Sequence, residues 1–128
     1  MLNRKEVHNS ETLNIQIDRH DQKSYLIELS KDCTKFDLNV ECLENSFSKF
    51  FILNHAESAC ELNINMVLKQ DANCQMGVLD LEKSPLKWNH YVDLKEQGAE
   101  YEILSGQLCQ EHIEKVCDME VRHNAPHT

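Results

Sequence analysis

The sequence predicts an all-β domain, a coil of short strands joined by wide polar corners. Three observations point there. Apolar residues recur every second position in run after run. The runs start at roughly regular steps of about 11 to 16 residues. The chain has only three glycines and no Asn-Gly or Asp-Gly dipeptide, the pairs that tight hairpins favour because both central residues need positive φ.

The elements follow in order. Leu13, Ile15 and Ile17 alternate with Asn14, Gln16 and Asp18, and Tyr25, Ile27 and Leu29 repeat the pattern. Phe36, Leu38, Val40 and Cys42 form the next apolar face, and Cys60, Leu62, Ile64 and Met66 another. Trp88, His90, Val92 and Leu94 lie on one side of a later run, and Cys117, Met119, Val121 and His123 on one side of the last. Side chains on a strand point to alternate faces, so each run buries one face and wets the other. Residues 43–56 read two ways. Leu43, Phe47, Phe50 and Phe51 suit a helical face, whereas Phe50 to Leu53 suits a strand buried on both sides. At Gly77 the apolar phase shifts from Met76 and Val78 to Leu79 and Leu81, which fits either a bulge or an uninterrupted two-sided strand. Nine strands are expected, beginning at about residues 13, 24, 36, 50, 61, 74, 89, 100 and 116. Residues 1–12 read as a polar N-terminal segment and 13–128 as one β domain.

Composition narrows the function. The 128 residues carry 22 acidic and 13 Lys and Arg side chains, a formal net charge of -9. Nucleic acid and anionic membrane surfaces both select for a basic footprint, and none is visible. No run approaches the ~20 apolar residues of a membrane span, and Met1 to Thr12 lacks the apolar core of a secretory signal. The expected address is the cytoplasm. There, Cys33, Cys42, Cys60, Cys74, Cys109 and Cys117, none in a Cys-x-x-Cys pair, act as small buried hydrophobes.

Chemistry-bearing patterns are few. His123 and His127 have an H-x3-H spacing, and Cys117 lies six residues before His123, but Pro126 argues against the helix that would bring both rings together. His112, His123 and His127 are the metal-ligand candidates, set against a structural role for each. No G-x-S-x-G elbow and no phosphate loop is present. Glu100 and Glu102 flank Tyr101 and mark the wet side of a strand. His90, on an apolar face, reads as a core imidazole hydrogen-bonded to backbone, with a ligand or base as the other reading. No catalytic residue and no resident cofactor is assigned.

The C-terminal stretch carries a resemblance. It runs from Gly98-Ala99 through Leu104-Ser105-Gly106 and His112 to Val121-Arg122-His123-Asn124-Ala125-Pro126-His127-Thr128. The last segment resembles the V-x-H-x-A-P-H-T motif of the SufB/SufD family of iron–sulfur cluster assembly proteins, and is more SufD-like than SufB-like. Val121, His123, Ala125, Pro126, His127 and Thr128 carry it. The resemblance implies a right-handed parallel β-helix of two sheets. It implies a truncated one, the opening half of the family's core. It implies a scaffold subunit of the SUF system with SufB-like and SufC-like protein partners. Self-association through the open end of the solenoid is expected as well. Where the family has His-x-Asp, this chain has His112-Ile113-Glu114. The family's cluster-building cysteine and histidine have no counterpart here. Two other readings compete: a histidine-using metallochaperone of β-solenoid type, urease-accessory-like, and an enzyme of the double-stranded β-helix class. The latter wants a compact His-x-His or His-x-Asp motif that His112-Ile113-Glu114 matches only loosely.

Overall fold

A computed structural model describes residues 2–80, 86–107 and 115–123. The alternating runs become ten strands: β1 (Leu2–Val7), β2 (Ser10–Ile17), β3 (Gln22–Leu29), β4 (Lys35–Cys42), β5 (Phe47–Asn54), β6 (Cys60–Leu68), β7 (Asn73–Asp80), β8 (Leu86–Leu94), β9 (Glu100–Gln107) and β10 (Lys115–His123). Odd-numbered strands form one sheet in the order β1-β3-β5-β7-β9, even-numbered strands the other in the order β10-β8-β6-β4-β2. Every pairing is parallel. The chain therefore winds as a two-sheet parallel β-solenoid of about four full turns, with β9 and β10 on a further coil. Each coil buries its inward stripe against its neighbours and the facing sheet.

The inward positions form columns up the stack. Phe36, Leu62 and Trp88 share one, Leu38, Ile64 and His90 the next, and Val40, Met66 and Val92 a third. All nine are nearly or wholly buried. In the facing sheet Ile27, Ile52 and Val78 stack in register, and the Tyr25 and Phe50 rings lie face to face with centroids 5.0 Å apart. Residues 43–56 resolve into the strand reading. Burial there is one-sided: Phe50 and Ile52 are inside, whereas Phe51 is 44% exposed. β7 pairs without interruption through Gly77, so there is no bulge. Gly77 lies instead on the outer face, where an added Cβ would sit 2.7 Å from Cδ2 of the Phe51 ring.

Residues 2–12, expected as a polar lead-in, carry β1 and open β2. Their alternation is hidden because the inward positions of this outermost coil are polar. Asn3 stands in register with Tyr25 and Lys5 with Ile27. Lys5 forms a 2.9 Å ion pair with Glu11, itself in register with Phe36. That hydrogen bond from Lys5, with a second from the His8 backbone, holds the Glu11 carboxyl below its ordinary range.

One corner repeats. Hydrogen bonds from Asp21 N to Asp18 O, Ser46 N to Leu43 O, Ala72 N to Lys69 O and Ala99 N to Glu96 O close four successive turns. The third residue of each has positive φ: His20, Asn45, Asp71 and Gly98, spaced 25, 26 and 27 residues apart. Asn, Asp and His are the non-glycine types that best tolerate this region. The turns are joined vertically by His20 N to Glu44 O, Asn45 N to Gln70 O and Asp71 N to Gln97 O, at 3.0 to 3.2 Å. Gly98, at φ +83°, has no room for a side chain, since a Cβ would fall 1.9 Å from Asp71 Oδ1. Gly98→Ala is expected to destabilise the fold by about 2 kcal/mol, combining left-handed strain with displacement of Asp71. Urea denaturation followed by circular dichroism measures it.

The outer faces of the two sheets differ. On the even-numbered sheet, stacked amides form two ladders. Asn39 Nδ2 donates to Asn14 Oδ1 and Asn65 Nδ2 to Asn39 Oδ1, both at 3.0 Å. Asn63 Nδ2 donates to Asp37 Oδ1 at 2.7 Å and Asn89 Nδ2 to Asn63 Oδ1 at 2.8 Å. In-register parallel stacking brings like side chains together at every coil, which is what such ladders require. The odd-numbered sheet turns Leu2, Leu26, Phe51 and Leu53 outward instead.

Candidate functional site

The titratable groups that the fold gathers most closely lie inside the coil. β8 turns Trp88, His90, Val92 and Leu94 inward, because the alternation that begins at Leu86 runs unbroken to Leu94. His90 is 2% exposed and Trp88 1%. Tyr101, from β9 in the facing sheet, reaches across to meet His90. Trp88 Nε1–H donates to His90 Nδ1 at 3.2 Å, and His90 Nε2 lies 2.5 Å from the Tyr101 hydroxyl. The His90 ring is tilted against Trp88 and edge-on to Tyr101, with centroids 5.6 and 5.5 Å apart.

These contacts fix the protonation of the imidazole. An indole nitrogen only donates, so His90 Nδ1 must accept and the ring proton sits on Nε2, where it points at the Tyr101 oxygen. A second proton on Nδ1 would face the indole N–H. Burial lowers the His90 pKa to about 4. Burial likewise raises the Tyr101 hydroxyl well above its ordinary value. At neutral pH both rings are uncharged, and both imidazole nitrogens are engaged.

The network was expected to involve backbone partners, and it uses side chains instead. The reason lies in the solenoid. Each inner strand already spends its N–H and C=O groups on the coils above and below, leaving none for an imidazole. Alternation alone turns Tyr101 inward, but matching it to His90 requires knowing that the corner after Leu94 folds β9 back over β8. The 25- to 27-residue repeat of the corners carries that information.

Below Tyr101 the interior holds thiols. In the odd-numbered sheet Tyr101 is in register with Cys74, and Cys74 with Ser48. Cys42 Sγ lies 3.6 Å from Ser48 Oγ. The hydrogen bond with Cys42, together with burial, pushes the Cys74 thiol well up, so it stays protonated. Ser48 went unremarked in the sequence although strand parity puts it inward, and Ser46 Oγ, also buried, has no hydrogen-bond partner. At the opposite corner Cys33 and Cys60 approach to 3.9 Å between sulfurs. None of the four is in a disulfide, and all four are buried, as the alternation predicts. Cys109 and the Cys117 side chain lie outside the described residues.

Of the histidine candidates, His112 and His127 lie outside the described residues, as do Ala125, Pro126 and Thr128. Val121 and His123 fall on β10 at the register positions of Val92 and Leu94. Among the described residues no group of three or more His, Cys, Asp or Glu is placed to hold a metal ion.

On the outer face of the odd-numbered sheet, the side chain missing at Gly77 opens a groove of about 360 Å³ beside Phe51, edged by Lys49 and Glu102. Its floor is apolar, reaching Phe50 and Met76.

Fold and interior together define a two-sheet parallel β-solenoid with a neutral, closed polar network and an apolar patch around Phe51 on one outer face. No family model matches the chain, and neither curated proteins nor solved structures provide a match.

Proposed function

We propose that the chain is a scaffold subunit of iron–sulfur cluster assembly of the SUF type, contributing rigidity and a docking face rather than a catalytic centre. The observation that carries the scaffold part is the state of the interior groups. His90 is neutral with both nitrogens engaged, the Cys74 proton is held by the Cys42 hydrogen bond and burial, and the Tyr101 proton by burial. A general base or nucleophile needs an accessible group poised to exchange its proton near working pH. These groups are built for the opposite. What the molecule offers a partner is its outside, where Phe51 and the groove beside Gly77 give an apolar patch on an otherwise polar solenoid.

The assembly role rests on the motif from Val121 to Thr128 and on the agreement between that family's two-sheet β-helix and the solenoid described above. In this reading the protein partners are SufB-like and SufC-like chains, and the cluster is cargo assembled elsewhere in the complex. Co-expression of the chain with a tagged SufB-like partner tests it. Retention of the chain is expected, and Phe51→Glu is expected to weaken retention at least tenfold while leaving the β-type circular dichroism spectrum unchanged. No retention of the unsubstituted chain would overturn the assembly role.

A further inference from the structure

We propose that Cys33 and Cys60 form a disulfide-forming pair, a modification site that staples two successive coils together at the corner between the sheets. The geometry is that of neighbouring coils. Glu61 N donates to Thr34 O at 2.9 Å, and Lys35 is in register with Glu61, so Cys60 stands opposite Thr34 and one position away from Cys33. Strands about 4.8 Å apart with an offset of one residue, about 3.3 Å along the chain, put such diagonal Cα atoms roughly 5.8 Å apart, inside the ~4.4–6.8 Å that a disulfide spans. The sulfurs are 3.9 Å apart, in direct contact with each other. Bond formation brings the sulfurs to about 2.0 Å, which requires the two side chains to turn toward each other.

The two cysteines are not equivalent. Cys60 retains 4% exposure at the end of the corner 55–59, whereas Cys33 is fully covered. The corner above them is held to the coil below by two backbone hydrogen bonds, His55 N to Leu29 O at 2.8 Å and Glu57 N to Lys31 O at 3.0 Å, and by exposed contacts of Lys31 with Glu57 at 3.8 Å and of His55 with Glu28 at 3.6 Å. Exposed pairs of this kind contribute little, so this corner opens more readily than the sheets. Cys60 is therefore the attacking residue and Cys33 the resolving one. With a low-molecular-weight disulfide as oxidant, the Cys60 thiolate attacks one sulfur of the oxidant and expels the other as a thiolate, leaving a mixed disulfide on Cys60. The Cys33 thiolate then attacks Cys60 Sγ and expels the second thiolate. Two protein thiols lose two electrons and two protons, and the oxidant becomes two free thiols.

Oxidised glutathione applied to the full native chain tests the proposal. Trypsin places Cys33 (residues 32–35), Cys42 (36–49), Cys60 (50–69) and Cys74 (70–83) in four separate peptides, so mass spectrometry reads each linkage directly. The expected product joins peptides 32–35 and 50–69 with the loss of two hydrogens. Cys33→Ala is expected to accumulate a glutathione adduct on Cys60, and Cys60→Ala to leave Cys33 unmodified. Linkage of Cys42 to Cys74 in preference, an adduct on Cys33 in the Cys60→Ala protein, or a 33–60 link that forms only in urea would each overturn it.

Discussion

Trp88→Ala is expected to bring the fold close to unfolding, with a loss of about 4–8 kcal/mol. The indole is 1% exposed and stands in the column of Phe36 and Leu62, with β10 paired on its other side. Removing a buried Trp costs roughly 3–5 kcal/mol through lost burial and the cavity left behind. In a parallel solenoid the cavity cannot relax easily, because each coil's height is set by ladder hydrogen bonds on both sides. The substitution also leaves His90 Nδ1 without its donor, and an unpartnered buried acceptor adds roughly 1–3 kcal/mol. Against a typical total of about 5–15 kcal/mol, that is most of the margin. Trp88 is the only tryptophan, so unfolding of the variant is followed by far-ultraviolet circular dichroism in urea rather than by fluorescence. Trp88→Phe, which keeps most of the volume and removes the N–H donor, is expected to fall between the two.

Acidification from pH 6.5 to 4 is expected to cost the protein about 3 kcal/mol through His90 alone. In the unfolded chain an imidazole takes up its proton near pH 6.5. In the folded chain burial delays that uptake to about pH 4. Between these values the unfolded state binds more protons, so stability falls as pH falls. It levels off below the folded pKa and is unaffected above the unfolded one. Glu11, Asp32 and Glu44 have lowered carboxyl pKa values. Their contributions have the same sign but are lost only as pH drops through and below the ordinary carboxylate range, so the window from about 4.5 to 6.5 isolates the histidine. His90→Gln retains an acceptor for Trp88 and does not titrate. Its urea midpoint is expected to be nearly flat across that window. A variant with the parent's slope would show that another group is responsible.

Much of this architecture was legible before any coordinates. Period-two runs such as Phe36 to Cys42 and Cys60 to Met66 specify strands with one buried face, and those residues are buried. The scarcity of glycine and the polar corners pointed away from hairpins, and every described pairing is parallel. The first strand was illegible for a physical reason. Asn3 and Lys5 occupy inward positions that nothing stacks upon, so the usual hydrophobic alternation is absent there. The corner column of His20, Asn45, Asp71 and Gly98 was visible only as polar composition, since positive φ has no single residue signature once Asn, Asp and His share it with Gly. The candidate site was half legible. Alternation turned His90 and Tyr101 inward. Which side chains meet across the interior depends on corner length, and alternation says nothing about that.

The Lys5–Glu11 pair bears on how copies of this molecule can join. For rods to polymerise, each must offer a receptive surface at both tips. Docking another coil on the β1–β2 edge would strip water from the partly exposed Lys5 ammonium and Glu11 carboxylate, a cost of several kcal/mol per ion that their mutual attraction only partly offsets. The β1–β2 edge is thus a poor acceptor for another coil, as charged side chains on an exposed edge strand are.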